Sequence, residues 1–89
     1  MTTLRPLATM LTPDSHPRLF TIGDHVASAV GGVLTYVFEE EQGGTSEFIW
    51  HFDVEGVHKR AALSKAYCAA LVDENRIVSA IVKQVTNGR

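Results

Sequence analysis

Residues 48–63, FIWHFDVEGVHKRAAL, decide how this chain folds. From Phe48 to Val54 the side chains alternate, with Phe48, Trp50, Phe52 and Val54 on one side and Ile49, His51 and Asp53 on the other. Neighbouring strand residues point to opposite faces, so this period of two predicts a strand with one face buried. Glu55-Gly56 then offers a two-residue turn, with glycine free to adopt positive φ. Pairing across that turn sets Val54 opposite Val57, Asp53 opposite His58, Phe52 opposite Lys59 and His51 opposite Arg60. Ala61 and Leu63 continue the apolar face, and the aliphatic stem of Lys59 can lie along it.

Working back from this hairpin, Gln42-Gly43-Gly44 joins it to VLTYVF at 33–38, a run rich in β-branched and aromatic residues. A two-residue Gly-Gly loop would set Val37 beside Trp50 and send Leu34, Tyr36 and Phe38 to the polar face. A three-residue loop with a glycine bulge sets Phe38 by Phe48, Tyr36 by Trp50 and Leu34 by Phe52. A slip of one residue exchanges the faces, and burial of the aromatic residues favours the second register. The expectation is a three-stranded antiparallel meander with a strongly aromatic buried face.

Further upstream, Val26, Ala29, Val30, Val33, Leu34 and Val37 recur at helical spacing, but Gly31-Gly32 interrupts them. Each glycine costs about 1 kcal/mol relative to alanine inside a helix. The stretch therefore reads as a helix over 24–30, a break, and a strand over 33–40. RLFTI at 18–22 reads as a short strand. Residues 1–17 read as a flexible N-terminal arm ahead of a single α+β domain at 18–89. In that arm Leu4, Leu7, Met10 and Leu11 have the spacing of one helical turn, and Pro13 and Pro17 punctuate a loop.

Downstream of the hairpin, Ser64 is placed to cap a helix in which Tyr67, Ala70 and Leu71 share a face. Asp73 can cap another, with Ile77, Val78, Ile81, Val82 and Val85 as its apolar stripe. Arg76, Lys83 and Gln84 fall away from that stripe, and Asn87-Gly88 ends the helix. The predicted fold class is α+β: a small antiparallel β-meander of about three to four strands, packed on one face by two C-terminal helices.

Composition limits the function classes. The 89 residues fit one domain, 45% of them are apolar and 20% charged, and the net charge is −2. Basic residues are scattered apart from His58-Lys59-Arg60, so the basic stripe of a duplex-binding protein is missing. Cys68 is the only cysteine, which excludes an intramolecular disulfide and a Cys-based zinc site and favours a reducing, cytoplasmic setting. No stretch approaches the roughly 18–20 apolar residues of a membrane span. Neither Gly31-Gly32 nor Gly43-Gly44 has the context of a phosphate-binding loop.

The residues that stand out chemically follow from the register. His51, Asp53, His58 and Arg60 project from one sheet face, where a carboxylate beside an imidazole can orient a general base and two histidines with an aspartate can ligate a metal. Polar residues on the solvent face of an antiparallel sheet are also the ordinary pattern. Glu39, Glu40 and Glu41, with Glu47 across the turn, make an acidic hairpin tip suited to a basic partner. With no nucleophile, oxyanion donor or cofactor motif to complete a mechanism, the sequence points to a small non-catalytic regulatory or adaptor domain. It would act through protein–protein binding, need no cofactor, and have a homodimer as a companion expectation. The binding residues expected are His51, Asp53, His58, Arg60, Glu39, Glu40 and Glu41. One alternative is a nucleic-acid-binding accessory protein using His58, Lys59, Arg60 and Lys65 with Arg5 and Arg18. The other is a small enzyme or metal protein centred on His51, Asp53 and His58.

Overall fold

The hairpin at 48–63 forms in the predicted register. A computed structural model describes residues 9–87. Along them run β1 (Thr9–Met10), α1 (Pro17–Val30), β2 (Val33–Gln42), β3 (Thr45–Val54), β4 (Val57–Ser64), α2 (Lys65–Ala70) and α3 (Glu74–Thr86). The strands make one antiparallel sheet in the order β1-β2-β3-β4. Between β3 and β4, Val54 pairs with Val57, Asp53 with His58, Phe52 with Lys59 and His51 with Arg60. Glu55 and Gly56 turn the corner with φ of 53° and 81°, the doubly positive turn whose twist matches that of the strands.

The register between β2 and β3 differs from the expectation. Gln42 pairs with Thr45, so the loop has two residues, Gly43 and Gly44, with φ of 58° and 84°. Two glycines satisfy the doubly positive turn without strain, and a three-residue loop gains nothing over it. Val37 therefore lies beside Trp50, and Phe38 beside Ile49. The odd residue is taken up inside the strand, where the register shifts between Leu34 and Tyr36. This bulge returns Leu34 to Phe52, as expected, but sets Tyr36 beside His51. Thr35 holds the bulge by donating its hydroxyl to the His51 carbonyl at 2.8 Å.

Residues 18–22 are helical, not a strand: α1 begins at Pro17, where the missing N–H is no loss, and runs unbroken to Val30. Leu19, Ile22, Val26 and Ala27 form its buried stripe. The helix stops where the sequence places the break, with Gly31 left-handed at φ 73° and the Gly32 N–H donating to the Ala27 carbonyl at 2.8 Å. The expected α+β class holds, an antiparallel sheet of four strands with helices packed on one face; α1 joins α3 in covering it, and the short α2 packs against β3 and β4. Ser64 and Asp73 cap α2 and α3 as expected, accepting from the Tyr67 and Asn75 N–H groups at 3.0 Å. In α2 the buried residue is Cys68, and Tyr67 and Ala70 face solvent.

Trp50, Phe52, Ile22, Val26, Val37, Ile77 and Ile81 are fully buried between the sheet and the two helices. Trp50 joins sheet to helix directly, donating its indole N–H to the Leu19 carbonyl at 3.0 Å. Gln84 is not simply solvated. Its side-chain amide accepts from the Ala62 N–H at 2.9 Å and donates to the Ala62 carbonyl at 2.8 Å, closing part of the free edge of β4. Of the expected arm, residues 1–8, with Leu4 and Leu7, lie outside the described residues. Met10 is in a strand rather than a helical turn, and Leu11 is buried with its N–H on the Val37 carbonyl at 2.9 Å. Among the described residues no helix is long and apolar enough to cross a membrane.

Candidate functional site

With α1 and α3 on one side, the register fixes what the other side of the sheet presents. Across it run Val33, Asp53 and His58 in one row, then Tyr36, His51 and Arg60. Met10, Phe38, Ile49 and Ala62 form the next row, followed by Glu40, Glu47 and Ser64. The sequence places His51, Asp53, His58 and Arg60 on one face, and they share it. It missed Tyr36 and Phe38, which a one-residue error of register had assigned to the core. The signal that would have found them is the Gly43-Gly44 turn itself, read as two residues.

The centre of this face is an aromatic cluster. Tyr36 stacks on His51 with ring centroids 4.3 Å apart, and His51 on His58 at 5.0 Å. Phe38 meets Tyr36 and His51 edge-on at 5.1 and 5.5 Å. The two imidazoles are also hydrogen-bonded, Nδ1 of His51 to Nε2 of His58 at 2.8 Å, one donating and the other accepting according to tautomer. His51 is 9% exposed, whereas Met10 and Val33 on the same face are 59% and 62% exposed. Asp53 is exposed and opposite His58 in register, but no three His, Cys, Asp or Glu side chains converge to hold a metal among the described residues.

Burial holds the pKa of His51 below its ordinary value of 6.5, and the neighbouring charges of His58 and Arg60 push it the same way. A folded state that disfavours the imidazolium binds fewer protons than the unfolded chain, so stability rises with pH across the window between the two values. The contribution is fully present above pH 6.5 and is lost as pH falls from there toward the folded value. Urea unfolding between pH 7.5 and 5 should show this loss, and His51→Gln should flatten it. An unchanged slope in the variant would place the titration elsewhere.

The acidic run divides between faces. Glu39 lies on the helix side in the row of Phe48 and Leu63, and ion-pairs with Lys65 at 2.5 Å. Glu40 lies on the open face directly opposite Glu47, and Glu41 pairs with Ser46. Cys68 is buried, and burial pushes its thiol pKa up, which is the behaviour of a small apolar side chain rather than of a nucleophile. Set against protein-family models, curated proteins and solved structures, the chain matches none.

Proposed function

We propose that this chain is a non-catalytic binding domain, regulatory or adaptor in role, that recognises another protein through the face of its sheet that no helix among the described residues covers. The observation that carries this reading is the cluster of Tyr36, Phe38, His51 and His58 on that face, flanked by the exposed Met10 and Val33. Aromatic side chains with a rigid, amphipathic surface are what binding hot spots are built from. Rows beside the cluster differ in charge, with Arg60, His58 and the opposing Asp53 toward one end of the strands and Glu40 and Glu47 toward the other. A matching partner is flat, apolar at its centre, acidic opposite Arg60 and basic opposite the glutamates.

A second copy related by a two-fold axis that reverses strand direction would meet that description, which makes a homodimer the second reading. Nucleic acid is less well matched, because Asp53, Glu40 and Glu47 share the face with Arg60 and repel phosphates. The cluster also holds no Ser or Cys side chain to serve as a nucleophile.

The test pairs sedimentation velocity with a nuclease-treated pull-down from source lysate, comparing the wild type with Tyr36→Ala and Arg60→Glu. Circular dichroism checks that the variants fold. A dimer or a retained partner should lose about 2 kcal/mol or more of affinity in either variant, as a hot-spot residue does. A partner held equally by all three proteins would move the binding surface off this face.

A further inference from the structure

On the opposite side of the sheet a cleft of about 400 Å³ opens between the start of α1, β3, α2 and α3. Its floor is apolar, formed by Leu19, Ile22, Phe48 and Ile77. Its mouth carries Arg18 from α1 and Lys65 from α2, and no Asp or Glu lines it. The volume falls in the range of small-molecule sites, which are about 300–1,000 Å³ and mostly apolar with a few polar anchors.

Both cations already hold a carboxylate at the rim. Arg18 bonds Glu74 through Nε at 2.5 Å, and Lys65 bonds Glu39 through Nζ at 2.5 Å. These pairs are exposed, so they contribute little and exchange readily. Each cation also keeps further N–H donors, since a guanidinium has five and an ammonium three. The first turn of α1 contains no acid and His16 makes no side-chain cap, so the positive end of the helix dipole adds to the same field.

We propose that this cleft binds a small amphipathic carboxylate. Its apolar body lies on Leu19, Ile22, Phe48 and Ile77, and its carboxylate sits between Arg18 and Lys65. The apolar floor beside two cations suits a ligand with a carboxylate at one end of an apolar body, while Ser15 and His16 add polar groups to the lining. The site is independent of the proposed protein-binding face, which lies across the sheet from it.

Decanoate below its micelle concentration is the probe, with decanol as the neutral control. Calorimetry on the whole chain should show one site for decanoate, and decanol should bind about tenfold or more weakly. Arg18→Gln with Lys65→Gln should weaken decanoate by a similar factor, about tenfold or more, while leaving Trp50 fluorescence and the unfolding midpoint near wild type. Tyr36→Ala should bind decanoate as the wild type does. Absence of binding, equal affinity for decanol, loss of binding in Tyr36→Ala, or unchanged affinity in the double variant with each single variant agreeing, would each overturn the proposal.

Discussion

Trp50→Ala should remove about 3–5 kcal/mol of stability, the cost of deleting a large aromatic side chain from a packed core. An 89-residue domain has roughly 4–13 kcal/mol in total, so this one change takes a large share of it. Three features converge on Trp50. It is fully buried on the central strand pair, it packs at the meeting of β3 with α1, and its indole N–H is bonded to the Leu19 carbonyl. Alanine leaves a cavity that the sheet cannot close, because β3 is fixed by its ladders to β2 on one side and β4 on the other. Trp50→Phe separates packing from the hydrogen bond. It keeps most of the apolar area and should cost about 1–2 kcal/mol. Trp50 is the only tryptophan, so the urea transitions of these variants are followed by circular dichroism. A loss under about 1 kcal/mol for the alanine variant would contradict the burial of this side chain.

The same residue shows why part of the fold was legible in the sequence. The alternation around Trp50 has period two and is bounded by Glu55-Gly56, so local pattern and turn chemistry agree on strand, face and register. The strand β2 has no such agreement. From Val33 to Phe38 apolar and aromatic residues fall on both faces, so alternation alone does not choose a register, and a bulge at Thr35 then exchanges the faces partway along. Burial of the aromatic residues points to the wrong register, because Tyr36 and Phe38 find cover against His51 on the side opposite α1 and α3 instead of against a helix. The candidate site was legible to the same extent: its histidines and Arg60 lie on the readable hairpin, its aromatic members on the unreadable strand.

The helix α1 was half visible for a related reason. Leu19 and Ile22 continue the stripe of Val26 and Ala27, but Phe20, Thr21 and Gly23 favour other structures locally. Gly23 belongs inside the helix because the sheet comes close there: a Cβ would lie 2.6 Å from Leu34 Cδ2 and 3.1 Å from Trp50 Cδ1. Tertiary packing thus set the residue that made the local pattern look broken.

Gly31 and Gly32, read together as a helix stop, should respond to substitution very differently. Gly31 is left-handed with open space around its Cα, so Gly31→Ala meets only the backbone penalty, about 1 kcal/mol. At Gly32 an added Cβ would stand 2.7 Å from the Asp53 carbonyl oxygen and 2.8 Å from Val54 Cγ2. The obstacle is backbone of the neighbouring strand, which cannot rotate away, so Gly32→Ala should cost about 2–3 kcal/mol, at the upper end of overpacking. Urea midpoints at equal m-values give the comparison directly, and the reverse order would refute the close approach of β2 to β3 at this end. The effect should also reach the candidate site. Gly32 leads directly into the pairing of Val33 with Asp53, and the bulge that turns Tyr36 onto His51 begins two residues later. Pushing the strands apart at Gly32 should therefore loosen that stack, and the pH dependence of stability assigned to His51 should shrink in Gly32→Ala while surviving in Gly31→Ala.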